Sequence, residues 1–196
     1  MPTRIILIVS AAAIAAAACG QEAETGNAAQ IDQKPDAGPI EEAPAVPLVG
    51  SDGTVIGEIK GGDGDTGAVF LVTAQGLPPG VHGLHLHDVG VCEGPSFDSA
   101  GPHWNPTNAQ HGLQNPQGPH WGDLPNITVG PDGRFVGEVT IEGSFLKESR
   151  LKGSGRGGPI LDANGAALVI HAEPDDNRTD PSGNSGARIA CAAITG

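Results

Sequence analysis

All seven histidines of this 196-residue chain lie between positions 82 and 171: His82, His85, His87, His103, His111, His120 and His171. A fold that uses them together has to bring the two ends of that span back to one place. Neutral imidazole is the commonest protein ligand for metals near neutral pH, and histidine kept for solubility or core filling would be scattered. The local spacing favours strands. His85 and His87 alternate with Leu84 and Leu86, and residues two apart on a strand face the same side. Both imidazoles can then reach one ion while the leucines pack inward. Half-buried structural histidines would produce the same alternation, so this pair alone does not decide between the two.

The rest of the chain agrees with an all-β reading. Glycine is abundant (31), proline is frequent (17), aromatic residues make up 3% and tyrosine is absent, a profile of short strands joined by turns and long loops. Strand patterns are expected at residues 54–60, 68–74, 81–87, 127–129, 134–141, 166–171 and 187–194, with Pro131, Asp132 and Gly133 as a turn. Two stretches resist a strand reading, residues 90–124 and 172–186. Loops of that length inside a compact domain are usually functional or disordered, and these carry the candidate ligands. No internal repeat is evident. The formal net charge of −13 repels phosphate backbones and excludes nucleic acid as a partner.

The N-terminus reads as an export signal. Arg4 precedes an apolar run, residues 5–18, too short to span a bilayer stably and ending in small residues before Cys19. Residues 16–19 resemble a bacterial lipobox in which Ala16 replaces the usual leucine. On that reading Cys19 is lipidated, residues 1–18 are removed, and the protein is anchored to a membrane facing the periplasm. An ordinary signal peptide cut nearby is the alternative. Residues 19–44 hold almost no large apolar side chains and cannot bury enough surface to order themselves, so they read as an acidic tether ahead of one domain over residues 45–196. With Cys19 assigned to the anchor, Cys92 and Cys191 remain as a pair in an oxidising compartment. Their bond would close a loop of about one hundred residues and contribute about 4–5 kcal/mol on the chain-entropy view; two free buried thiols are the alternative.

The first long loop holds His103, His111, His120 and Asp123. Three imidazoles and a carboxylate suit a closed tetrahedral zinc site, and a loop so poor in apolar residues needs something to order it. His171 ends the apolar run 167–170, where a strand delivers it to a sheet edge. Asp175 follows four residues later. It is a candidate for orienting ligand histidines by accepting their free N–H groups, or else a solvated turn aspartate.

Five segments together resemble copper/zinc superoxide dismutase. They are His82-Gly-Leu-His-Leu-His87, Ser99-Ala-Gly-Pro-His-Trp-Asn-Pro106, His120-Trp-Gly-Asp-Leu124, residues 171–176, and Gly183-Asn-Ser-Gly-Ala-Arg-Ile-Ala-Cys191. The similarity runs in order from about residue 45 to the C-terminus, and the insertion at residues 92–99 is similar to the bacterial, exported branch. The resemblance implies copper held by His85, His87, His103 and His171, and zinc held by His103, His111, His120 and Asp123, with His103 bridging both. It implies a structural, hydrogen-bonded His82, and it makes Arg188 the arginine that guides the anionic substrate to copper. Arg178 is a further contributor to that positive funnel, whereas Lys147, Arg150, Lys152 and Arg156 read as a solvated face. Trp104 and Trp121 flank ligands, as core packing or as a subunit contact.

The fold implied by the resemblance is an eight-stranded Greek-key β-sandwich or flattened barrel with two long functional loops, the architecture for which the family is known. The implied reaction is dismutation of superoxide to dioxygen and hydrogen peroxide by alternate reduction and reoxidation of copper, with His103 handling a proton. The family is a standard case of electrostatic steering, and here the acidic net charge makes capture depend on the local positive field at Arg188. A copper/zinc buffer would need the histidines but not Arg188. Homodimerisation stays open.

Overall fold

A computed structural model describes residues 44–146 and 158–196. The signal, Cys19, nearly all of the tether and the cluster of Lys147, Arg150, Lys152 and Arg156 lie outside the described residues. Among those described there are nine strands: β1 (Val46–Gly50), β2 (Val55–Asp63), β3 (Gly67–Ala74), β4 (Gly80–His82), β5 (Leu84–His87), β6 (Ile127–Val129), β7 (Phe135–Glu142), β8 (Ala166–His171) and β9 (Arg188–Ile194). The only helical element among them is a single 3-10 turn at Asp98–Ala100.

Seven strands form one antiparallel sheet in the order β5-β8-β9-β1-β2-β3-β7, and β4 pairs with β6. Because β4 runs into β5 and β6 leads into β7, the small pair continues the large sheet at both ends and the whole curls into a flattened barrel. Its alternation is plain in β7, where Phe135, Gly137, Val139 and Ile141 are buried while Val136, Thr140 and Glu142 are exposed, the pattern of a sheet with one wet face. The inner faces enclose Leu48, Ile59, Phe70, Val72, Leu84, Leu86, Leu168 and Ile170. Each such side chain contributes about 1.5–3 kcal/mol when fully buried.

β5 and β8 depart from that alternation, and the departure locates the site. Every residue of both strands is buried, so both faces of this part of the barrel are covered. The outer cover comes from the loop after β5. Phe97 and Ala100 pack there on Ala167, Val169 and Cys191, and Cys92 is bonded to Cys191. A disulfide therefore fastens the loop to β9 beside the ligand-bearing strands.

Two features differ from the pattern expected of the sequence. β1 is absent from the strand patterns expected of the sequence, and it carries Pro47, which lacks the N–H a central strand needs. In the fold the residue is tolerated because it pairs with Glu58 of β2, while β1 meets β9 only at Val49 and Gly50. The expected strand at residues 81–87 is split at Gly83, whose N–H goes to Glu173 O and whose carbonyl accepts from His171 N–H. Counting β4 and β5 as one bent strand recovers the eight expected.

Candidate metal centre

Backbone bonds from β5 assemble the centre before any side chain is considered. Leu86 N–H donates to Gly122 O, Trp104 N–H donates to Leu86 O, and Gly122 N–H donates to Trp104 O. Bridges result between His85 and Asp123 and between His87 and His103. Two segments of one long loop are thus sewn to the strand that carries the His-x-His pair. Gly122 is required there, since a Cβ would collide with the Leu86 carbonyl. On the other side, His85 stands opposite Val169 of β8, and β8 ends in His171.

The structure brings six of the seven histidines into one buried cluster. His85, His87, His103 and His171 each offer a ring nitrogen within 4.8 Å of the others. One nitrogen on each ring is buried without a hydrogen-bond partner: Nδ1 of His85 and Nε2 of His87, His103 and His171. An unsatisfied buried polar atom costs about 1–3 kcal/mol, so four at one place are a set of donors suited to coordination rather than a packing accident. Burial keeps these imidazoles neutral, with lone pairs free. It depresses His85 to about 4 despite the hydrogen bond that its ring donates to Asp175, His87 to about 2 and His171 to about 3.

A second set surrounds Asp123. Nδ1 of His103 and of His111 each lie 2.9 Å from Asp123 Oδ1, and Nδ1 of His120 lies 3.2 Å from it. His120 Nδ1 is 3.4 Å from His103 Nδ1. A tetrahedron with zinc–ligand bonds of about 2.0 Å has edges of about 3.3 Å, and the contacts of Asp123 Oδ1 with all three imidazoles and of His103 with His120 are close to that spacing. His85 also converges within 4.8 Å of His103, His111 and Asp123, but its Nε2 is taken by Asp175 and its Nδ1 is one of the four unpartnered nitrogens. We therefore place His120 in this set. Burial works against the charge on Asp123, yet the His103 and His111 hydrogen bonds and the Gly112 N–H hold its carboxyl far below the ordinary range.

The bridge implied by the resemblance has a geometric counterpart. His103 turns Nδ1 to the Asp123 set and Nε2 to the other set. Asp175 supplies a second link: His85 Nε2 donates to its Oδ2 across 2.6 Å and His111 Nε2 donates to its carboxylate across 3.0 Å. These hydrogen bonds outweigh burial and keep Asp175 ionised well below the usual range. Asn126 fixes its backbone, the amide nitrogen donating to Asp175 O and the amide oxygen accepting from Asp175 N–H, both across 2.8 Å. Sequence reasoning did not find Asn126; nothing in its residue type or neighbours distinguishes it.

Arg188 lies at the start of β9, where a bulge at Ile189 sets it opposite His171. Its guanidinium donates to Phe97 O across 2.6 Å and to Gly101 O across 2.8 Å. Two loop carbonyls therefore hold the cation beside the four-nitrogen set. His82 lies below the centre, its ring nitrogens 2.8 Å from the carbonyls of His171 and Pro78. Arg178 instead donates to Gln114 Oε1 on the exposed side of the two loops. Trp104 is buried in the core, and Trp121 packs half-buried against it with ring centroids 6.3 Å apart.

Comparison with known proteins agrees with this geometry. The family described as copper/zinc superoxide dismutase (SODC) matches residues 53–194. The superoxide dismutase-like protein YojM of Bacillus subtilis is 39% identical over 197 residues, spanning 98% of this chain and 96% of the relative. A Cu-Zn superoxide dismutase of Aquifex aeolicus is 40% identical over 148 residues, 75% of this chain and 83% of the relative. Among solved structures, a SOD-like protein from Bacillus subtilis superposes with a TM-score of 0.71 at 42% identity, over 78% of this chain and 99% of that one. The Cu/Zn superoxide dismutase from Brucella abortus superposes at 0.57 and 27% identity, over 77% and 98%.

Proposed function

The chain belongs to the copper/zinc superoxide dismutase family, and from that membership we infer that it converts two superoxide ions and two protons to dioxygen and hydrogen peroxide. The observation that carries the reading is the set of four convergent buried imidazole nitrogens with no hydrogen-bond partner among the described residues. We assign copper to Nδ1 of His85 and Nε2 of His87, His103 and His171, and zinc to Nδ1 of His103, His111 and His120 with a carboxylate oxygen of Asp123. Copper supplies a one-electron couple between two accessible oxidation states, and zinc a redox-inert tie that holds the loop.

The protein's own residues supply the rest. Arg188 docks the anion: its guanidinium is half-buried, fixed by two carbonyls, and faces the ligand set from the start of β9. A fixed cation in a partly desolvated position attracts a small anion far more strongly than one in water, which matters in a chain of net charge −13. His103 Nε2 is the atom we assign to hold and deliver one of the two protons, in the half of the cycle in which its lone pair is not given to copper. Asp175 keeps His85 and His111 turned so that the correct nitrogens face inward.

Export and anchoring are proposed from the sequence, through the apolar run ending at Cys19. Replacing Cys19 with Ser should release the protein from membranes; continued membrane association would sink the lipoprotein reading. The decisive test of the activity is the superoxide-consumption rate of the metal-loaded protein normalised to bound copper. A fast, copper-proportional rate is expected. Full copper occupancy with negligible turnover would overturn the reading in favour of a metal buffer.

A further inference from the structure

Five of the six histidines in the centre have both ring nitrogens accounted for. His103 faces the two ligand sets. The outward nitrogens of His85 and His111 donate to Asp175, that of His87 to Gly101 O across 2.8 Å, and that of His171 to Gly186 O across 3.2 Å. His120 differs: its Nε2 has no hydrogen-bond partner among the described residues, and the carboxylate beside it is Asp180, with Oδ1 3.9 Å away. That same oxygen accepts the backbone N–H of His111 across 2.7 Å. One carboxylate oxygen thus fixes the main chain of one histidine of the set while standing next to the ring of another.

Building on the zinc assignment above, we propose that Asp180 is the positioning carboxylate of His120, the counterpart of what Asp175 does for His85 and His111. A metal on Nδ1 draws electron density from the ring and makes Nε2–H a stronger donor, so a nearby carboxylate stabilises the ligated ring and fixes its orientation. A gap of 3.9 Å is beyond a direct hydrogen bond; it closes by a small rotation of a side chain that is 52% exposed, or through one water. Asp180 also places this duty in the second long loop. Zinc then ties both loops together through His111, His120 and Asp180, whereas the zinc ligands themselves all come from the first.

Asp180→Asn tests this because it keeps an oxygen for the His111 N–H and removes only the charge offered to His120. Zinc affinity, measured by chelator competition on the metal-free protein, should fall about tenfold. The visible bands of the cobalt-substituted protein should shift, while copper binding stays at the wild-type level. In a His120→Gln background the same substitution should have little further effect. Zinc affinity within twofold of wild type with an unchanged cobalt spectrum would overturn the proposal, and so would an equal loss in the His120→Gln background, which would mark a general charge effect. Should the variant not fold, the His120 Nε2–H resonance of the zinc-loaded wild type decides: protection from exchange supports the proposal and rapid exchange with water overturns it. Failure of the wild-type protein to take up zinc would instead overturn the site assignment, and this inference with it.

Discussion

His87 and Arg188 donate to the same oxygen, the carbonyl of Gly101, each across 2.8 Å. The histidine we assign to copper and the cation we assign to dock the anion therefore share one backbone reference point. Gly101 sits at φ 73°, and a Cβ there would meet the Asp88 carboxylate, so both conformation and space demand glycine. Arg188→Ala should leave copper content intact and lower the rate of dismutation at least about tenfold, with a weakened dependence on ionic strength. Pulse radiolysis on copper-matched samples measures both. An unchanged rate would remove Arg188 from the mechanism.

The disulfide bears on the same contacts at one remove. Cys92 and Cys191 fasten the loop whose Phe97 and Gly101 carbonyls hold Arg188. Replacing both cysteines with serine should lower the unfolding free energy by about 2–5 kcal/mol, read by calorimetry on the metal-free domain. Activity per copper should fall as well, because the carbonyls are no longer pinned to β9. A loss of stability with full activity would show that Arg188 is held without the bond.

Protonation separates the two metal sets. His85, His87 and His171 are depressed to about 4, about 2 and about 3, so they are already neutral at pH 7 and copper displaces no proton from them. His111 goes the other way. Burial opposes its charge, but hydrogen bonds to Asp123 and Asp175 lift it to about 9. In the metal-free protein that raised value contributes stability present below an ordinary histidine pKa of about 6.5 and lost as pH climbs through about 9. Zinc must displace this proton. Calorimetry in buffers of different ionisation heat at pH 7, with each metal added alone to the metal-free protein, should report about one proton released on zinc binding and almost none on copper binding, while the second metal to bind should displace one more, the remaining N–H of His103. Equal release by both metals would contradict the assignment of the two sets.

The sequence made the ligand histidines legible because their chemistry is written in residue type and their delivery in strand periodicity. Residues 127–129 and 166–171 are strands as expected, and the two long loops fall where no period-two pattern exists. What it left unread depends on backbone carbonyls and on pairs far apart in the chain. Gly101 O serving two donors, Asn126 clamping Asp175 forty-nine positions away, and the bulge at Ile189 that faces Arg188 toward His171 have no signature in composition or spacing. Likewise, no spacing argument assigns Nδ1 of His85 and Nε2 of His87 to one ion; ring orientation is set by what the opposite nitrogen bonds.

Asp175 carries one load for both metals, so its removal should be felt twice. Asp175→Asn keeps an oxygen acceptor for one ring and loses the charge shared by His85 and His111. Copper and zinc affinities should both fall, by about 10–100-fold each, measurable by competition with chelators of known affinity. A drop in one metal alone would mean that only one of the two hydrogen bonds positions its ligand.

Gly122 offers a test of the backbone stitching itself. Its N–H and carbonyl connect Trp104 O and Leu86 N–H, and the space of its missing side chain is filled by the Leu86 carbonyl, with Trp104 N only 3.0 Å from where a Cβ would sit. Gly122→Ala must push this segment away from β5, and Asp123 is the next residue. Overpacking of this kind costs about 1–3 kcal/mol, and here the displacement is directed at one metal set. Zinc affinity should drop sharply while copper binding through His85, His87 and His171 changes less. Gly53→Ala is the control: φ there is +82° but nothing lies within 4 Å, so it should lose about 1–2 kcal/mol of stability to backbone strain alone with both affinities unchanged. If Gly122→Ala binds zinc as the wild type does, the bridges from β5 do not set the position of Asp123, and the order of assembly inferred from them is wrong.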